Sequence, residues 1–301
     1  MSLMVGTTTK TWRLIDVLKE ATAFLESKGI ENPRLNAERL MGHVLGISRI
    51  DLYVRFEQLL NKEERNAYKT LLKRRAKHEP LQYILGETEF MSLQFKLTPA
   101  VLIPRPETEI LVEQVITSLG DQQGCRILDI GVGSGNIAVS LAKYLSRVNV
   151  VGIDTSNEVL ALAKENAEWN GVGDQIQFVL ADVNKEDFNR VIKGPFDLVV
   201  SNPPYISLDD FQKLSEEIRE YEPREALCDG QDGLSFYQII ARKGIELLRS
   251  GGKLFFEIGD RQSQSVQLIL KEAGYTSIRV FQDLNSMARV VQGNFIVNST
   301  V

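Results

Sequence analysis

Cysteine and histidine are nearly absent: 301 residues hold only Cys125 and Cys228, with His43 and His78. The cysteines stand far apart, without the short spacing of a metal knuckle, so reduced thiols of an intracellular protein are expected. Two histidines leave no His-rich metal site and no Ser-His-Asp chemistry in view, and no metal is expected. No apolar run approaches the roughly 18 residues of a membrane span, and the start lacks the apolar stretch of a signal peptide. A cytoplasmic protein without membrane contact is therefore expected. There is no low-complexity tract and no internal repeat, while an apolar content of 43% suffices for a sizeable core. At this length two domains are expected.

An excess of positive charge is missing too. The net charge is −5, but it is unevenly spread. Residues 1–80 hold 15 Lys and Arg against 10 Asp and Glu, and the remainder 20 against 30. The larger part is thus a poor clamp for DNA, and direct nucleic-acid binding is not expected. The smaller part could meet an acidic or ribonucleoprotein partner.

What is present begins with helices. From Thr11 to Lys28, Leu14, Leu18, Ala21 and Leu25 recur at helical spacing, and Gly29 ends the pattern. Asn32 reads as the cap of a second helix with Pro33 at its first position, running through Leu40, Met41 and Val44 to Gly46. A short piece follows at Ile50–Val54. Asn61 caps a helix with Glu63 and Glu64 in its first turn and Lys73, Arg74, Arg75 and Lys77 in its last. Those charges complement the helix dipole, with a partner-binding surface as the alternative use of the basic run. Pro80 closes this bundle, which carries no catalytic constellation. Gly86 to Thr98 then alternates through Phe90, Leu93, Phe95 and Leu97, as a hairpin would. The Ile103–Glu109 turn leads into a helix, and Arg105 either caps it or edges a site.

From Arg126 strands and helices alternate, the pattern of a doubly wound α/β sheet. Seven strands are predicted: Arg126–Ile130, Asn149–Ile153, Ile176–Leu180, Phe196–Val200, Lys253–Glu257, Ser277–Phe281 and Ala288–Gln292. The last two are separated by a short polar loop and predict an antiparallel pair. After the first strand comes Asp129-Ile130-Gly131-Val132-Gly133-Ser134-Gly135, a glycine-rich turn that lets backbone approach a ligand. Asp154 ends the next strand, where a carboxylate accepts from both ribose hydroxyls of a nucleoside. Asp182 follows the third strand, within reach of an adenine amino group, and Asp129 is a candidate for the ligand's amino-acid end. Any one of these acids is more often a solvated strand end; three on successive strands, beside the glycine turn, predict a nucleoside-bearing cofactor.

The fourth strand runs into Asn202-Pro203-Pro204-Tyr205. Two prolines cannot continue a central strand, and they offer carbonyl oxygens without competing N–H donors. With the Asn202 side-chain oxygen and the flat wall of Tyr205, this makes a rigid, acceptor-rich mouth suited to a planar –NH2 group. The plain alternative is a strand-ending turn.

In these motifs the chain resembles class I S-adenosylmethionine-dependent methyltransferases, and more narrowly the release-factor glutamine methyltransferase family. The resemblance rests on Glu79-Pro80-Leu81-Gln82-Tyr83-Ile84 with Gly86, Pro104-Arg105-Pro106-Glu107-Thr108-Glu109, the Asp129–Gly135 turn, Asn202-Pro203-Pro204-Tyr205-Ile206, and Tyr221-Glu222-Pro223 with Ala226-Leu227. It implies a Rossmann-like seven-stranded methyltransferase sheet with an N-terminal helical-bundle domain. The implied division is 1–83 for substrate recognition, 84–104 as hairpin linker and 105–301 for methyl transfer. The implied reaction methylates the glutamine amide of the Gly-Gly-Gln motif in peptide chain release factors, with S-adenosylmethionine as donor and S-adenosylhomocysteine as product. Asn202, Pro203 and Tyr205 would be catalytic, with Pro204 beside them against the substrate. Asp129, Gly131, Val132, Gly133, Ser134, Gly135, Asp154, Asp182, Val183 and Asn202 would bind the cofactor. Val183 departs from the aromatic residue often found there, which implies a plainer pocket wall. The N-P-P-Y motif alone also occurs in amino methyltransferases of DNA and RNA, the principal alternative; a catalytically dead fold would show a damaged turn or mouth, and both are intact.

Overall fold

Leu14, Ala21 and Leu25 face inward from the helix Leu14–Glu26 and meet Leu40 and Met41 of Pro33–Leu45. In the computed structural model, which describes residues 12–297, these contacts start the first of two compact bodies, one ending at Leu85 and the next beginning at Gly86. Thr11, the predicted helix start, and the outer ends of the expected domains at 1 and 301 lie outside the described residues.

The first body adds helices Arg49–Val54, Lys62–Arg75 and Leu81–Leu85. Asn61 caps as its sequence predicts: its side chain accepts from the Glu64 amide at 2.8 Å, while the Glu64 carboxylate accepts from the Asn61 amide at 2.8 Å. Asn32 does not. It sits in the left-handed region at φ 49° with no side-chain cap bond, and its carbonyl accepts from Asn36 Nδ2 at 3.1 Å. The basic run stands at the helix end as the dipole reading expects, except for Lys77. Lys73, Arg74 and Arg75 occupy the last helical turn, and Lys77 lies beyond the helix end. Arg74 pairs with Glu79, and buried Arg75 donates to Asn36 Oδ1 and the Glu79 carbonyl, both at 2.8 Å. Arg75 thus serves the interior of the bundle, while Arg74 pairs at its part-exposed edge. Pro80 is not its end, since Leu81 and Ile84 complete the same core.

In the second body, strands β1 (Glu87–Phe90) and β2 (Leu93–Lys96) form an antiparallel hairpin about Met91 and Ser92, both at positive φ. Phe90 and Phe95 pack into the core that holds Leu111 and Val115, so the hairpin belongs to this body by burial. The main sheet contains β3 (Arg126–Ile130), β4 (Asn149–Asp154), β5 (Ile176–Leu180), β6 (Phe196–Ser201), β7 (Leu248–Glu257), β8 (Thr276–Gln282) and β9 (Ala288–Asn294). Their spatial order is β5-β4-β3-β6-β7-β9-β8. The first five run parallel, and β9 is antiparallel to both β7 and β8. β7 begins five residues before the predicted Lys253, turning through Gly251 at φ 80°.

Alternate residues of the central strands enter two cores. Ile127 and Val150 face helices Pro106–Leu119, Asn136–Tyr144 and Asn157–Trp169, whereas Leu128 and Val151 face Ser235–Leu247 and Ser263–Glu272. Burial on both faces explains why these strands read as continuous apolar runs. Connections leave β3 towards β4 on one side and arrive at β6 on the other. That reversal opens a crevice beyond the carboxyl ends of β3 and β6.

Candidate active site

A cavity of about 660 Å³ fills that crevice. Of the residues singled out in the sequence, Gly131, Val132, Gly133, Ser134, Asp154, Asp182, Val183, Asn202, Pro203 and Pro204 line it together. Gly131, Gly133 and Gly135 have φ of 80°, 53° and 84°, values that a side chain rarely tolerates. The turn is anchored from behind by Asn166, whose Nδ2 donates to the Ser134 carbonyl at 2.8 Å and whose Oδ1 accepts from the Lys96 amide of β2 at 2.8 Å. Gly135 itself does not reach the cavity wall. It starts the helix Asn136–Tyr144, and a Cβ there would meet the Ala163 side chain at 3.3 Å.

Asp154, at the end of β4, accepts three backbone N–H groups: Gly133 at 3.2 Å, Thr155 at 2.8 Å and Ser156 at 3.3 Å. Burial raises its pKa above the usual carboxylate range, and those three donors pull the other way. The carboxylate is thus fixed in orientation at the cavity edge. Asp182 takes both the Asn184 amide and Asn184 Nδ2 on its Oδ1, each at 2.9 Å, and Val183 beside it is a buried wall residue.

Asp129 is a correction. It lies in mid-sheet, opposite Gly152 of β4 and Val200 of β6, is fully buried, and does not line the cavity. Burial pushes its pKa up to about 7, the nearby Asp154 carboxylate adding to the rise and the Ala138 amide, whose approach falls short of a well-formed hydrogen bond, pulling the other way.

β6 ends at Ser201, whose hydroxyl donates to the Ile130 carbonyl at 2.7 Å and ties the two strand ends together. Asn202 follows on the cavity wall, its Nδ2 donating to Thr108 Oγ1 at 3.3 Å. Tyr205 stands behind the wall, not on it. Its ring packs on Gly259, where a Cβ would come within 2.9 Å, and its hydroxyl donates to Glu257 Oε1 at 3.4 Å. Gln262 secures the turn, with Nε2 donating to the Tyr205 carbonyl at 2.9 Å and the Gly233 carbonyl at 3.1 Å. Arg105 lines the cavity and pairs with buried Glu222, so it edges the site and makes no cap bond.

Sequence reasoning missed Gln262 and Glu257, and it named Thr108 and Glu222 only within motifs, without a role. Glu257 carries a signal in the sequence: it ends a predicted strand, as the acids of the first strands do.

Sheet order, glycine turn and acid-tipped second strand define a class, the doubly wound α/β methyltransferases. Residues 121–257 match a methyltransferase domain family, and residues 16–86 match the PrmC N-terminal domain. A methyltransferase from Pyrococcus furiosus shares the fold, with a TM-score of 0.50 at 16% identity, covering 69% of this chain and 91% of its own. A release factor glutamine methyltransferase of Geobacter sulfurreducens is 44% identical over 94% of this chain and 96% of its own length. One from Chlorobaculum tepidum is 41% identical over 93% of this chain and 96% of its own length. The chain belongs to the release factor glutamine methyltransferase family, and it is a methyltransferase.

Proposed function

We propose that this enzyme transfers a methyl group from S-adenosylmethionine to the side-chain amide nitrogen of the glutamine in the Gly-Gly-Gln motif of peptide chain release factors, in the cytoplasm. The observation that carries this reading is the union in one cavity of a glycine turn with positive-φ backbone and an acceptor-rich Asn-Pro-Pro mouth. The cavity volume is in the range that encloses a nucleoside-sized ligand, and the residues present fit S-adenosylmethionine. Gly131 to Ser134 would approach it through backbone, Asp154 would hold its ribose hydroxyls, and Asp182 with Val183 would meet its base.

The bound cofactor supplies a methyl group activated on a sulfonium, leaving S-adenosylhomocysteine as product. The chain's own residues deal with the amide, whose nitrogen lone pair is delocalised into its carbonyl and is a poor nucleophile. Asn202 Oδ1 and the Pro203 carbonyl each accept one N–H of the substrate amide and hold its nitrogen in line for attack. The same two acceptors stabilise positive charge growing on that nitrogen, so they favour the transition state over the ground state. Pro204 packs beside the substrate, and Tyr205 braces the turn from behind. After transfer the amide proton passes to water, and no strongly basic side chain is required.

The test is incubation with methyl-labelled S-adenosylmethionine and either an intact release factor or duplex DNA. Label on the glutamine of the Gly-Gly-Gln peptide is the expected result; label on DNA alone would overturn the reading.

A further inference from the structure

Asn202 is a two-ended group, with an acceptor oxygen on one side and a donor –NH2 on the other. Only one orientation serves a substrate –NH2, and the reversed amide would set donor against donor. Something behind the mouth must therefore choose the orientation. The register of the sheet supplies the candidate. Ser201 of β6 lies opposite Phe256 of β7, so the next residues, Asn202 and Glu257, stand side by side, Asn202 just past the end of β6 and Glu257 as the last residue of β7, still paired with Val290 of β9.

We propose that Glu257 is a positioning residue for methyl transfer, one that orients the Asn202 side chain so that Oδ1 is presented to the substrate. The inference rests on the assignment of Asn202 as the acceptor for a substrate amide. Glu257 is 2% exposed, and its Oε2 has no hydrogen-bond partner. A buried carboxylate with an unfilled acceptor site attracts donors and repels carbonyl oxygens. The side chains of Thr108, Tyr205 and Asn202 face it and favour its ionised form. Asn202 Nδ2 is already turned to Thr108 Oγ1 at 3.3 Å, and Thr108 is itself buried. A hydroxyl alone cannot choose an orientation, because it both donates and accepts. With its proton directed to the carboxylate, the Thr108 oxygen can only accept, and the Asn202 –NH2 end is held at the rear.

The lock is conditional on charge. Burial, with the nearby Glu107 carboxylate, raises the Glu257 pKa to about 7. Facing the same pocket, Tyr205 has its hydroxyl on Glu257 Oε1 and is influenced by Arg105 and Arg289, while Tyr237 donates to the Glu257 backbone carbonyl at 3.0 Å. Above neutral pH Glu257 accepts only. Below it, the carboxyl carries an O–H that can donate to Asn202 Oδ1, and the amide is free to reverse.

Two measurements test this. First, Glu257→Gln keeps the shape but offers a donor as well as an acceptor. It is expected to lower kcat on an intact release factor by about tenfold or more, with KM for S-adenosylmethionine unchanged within about twofold. It should also flatten the acid limb of the kcat profile near neutral pH, whereas Thr108→Ser retains the hydroxyl and most of the activity. Second, the side-chain amide signals of Asn202 in 15N-labelled protein, assigned by their loss in Asn202→Ala, are expected to shift with pH near neutrality in the wild type and not in Glu257→Gln. This readout needs no substrate, so it stands even if the release factor proves unmethylated, a result that sinks the functional reading alone. Wild-type kcat and pH profile in Glu257→Gln, or Asn202 signals indifferent to that substitution, would overturn the positioning role.

Discussion

At the scale of single residues, two carboxylates divide the work by what surrounds them. Asp154 keeps three backbone donors and a place on the cavity wall, whereas Asp129 is fully buried away from that wall. Asp154→Ala is expected to weaken S-adenosylmethionine binding by on the order of a hundredfold, since hydrogen bonds to a charged acceptor contribute about 1.5–3 kcal/mol. Isothermal titration measures it, and unchanged affinity would remove Asp154 from the ribose site. Asn202→Ala should instead leave cofactor affinity nearly intact while turnover falls by about a hundredfold or more, the size seen when one group aimed at developing charge is removed. Single-turnover rates at saturating cofactor separate the two effects, and a near wild-type rate would sink the hydrogen-bond mechanism.

At the scale of elements, the Asn202 turn is held by pieces distant in sequence. Gly233, at φ 83°, packs so closely on it that a Cβ would stand 2.4 Å from the Tyr205 carbonyl. Gly233→Ala is therefore expected to displace the turn and cut methylation at least about tenfold, as strain of 1–3 kcal/mol at one residue permits, without loss of cofactor binding. Comparing kcat with the cofactor dissociation constant checks this. Such contacts explain what was readable beforehand. The strands of the sheet were legible because apolar runs between turn residues have few other uses, and Gly131 and Gly133 because positive φ demands glycine. The depth of Asp129 was not legible, since an acid near a strand end reads alike whether the next turn exposes or covers it. The place of Arg74 and Arg75 in the last helical turn was legible from the dipole, but their partners Glu79 and Asn36 were not, because sequence shows charge and not direction. Gln262 was invisible, for nothing local marks a side chain whose partners lie 29 and 57 residues away.

At the scale of the molecule, acidity acts on stability and activity in opposite directions. Asp129 and Glu257 have pKa values raised to about 7, so between the ordinary carboxylate range and neutrality the folded state binds more protons than the unfolded one. Stability from this source is complete at low pH and is lost as pH rises through about 7. Acids with depressed values, such as Asp229 and Asp283, lose their contribution only below the usual carboxylate range and do not oppose the trend near neutrality. The thermal midpoint of the ligand-free protein is expected to rise from pH 8 to pH 6, and Asp129→Asn to shrink that rise. A midpoint flat across this interval in calorimetry would contradict the buried-acid account. The two bodies have separate cores, and every residue proposed for the cofactor lies in the second. A chain starting at Gly86 is expected to bind S-adenosylmethionine normally yet methylate an intact release factor far more slowly, because a lone glutamine side chain offers little area for recognition. Equal efficiency with and without residues 1–85 would assign recognition elsewhere.

The place of β9 has a consequence for how the enzyme is made. β9 lies between β7 and β8 although it follows both in the chain, and Glu257 stands opposite its Val290. As a ribosome extends the protein, the glycine turn and all five parallel strands exist before that edge of β7 has a neighbour. Until Ala288–Asn294 emerges, the nascent chain shows a bare strand edge beside the future catalytic mouth, open to pairing with any other unfinished chain.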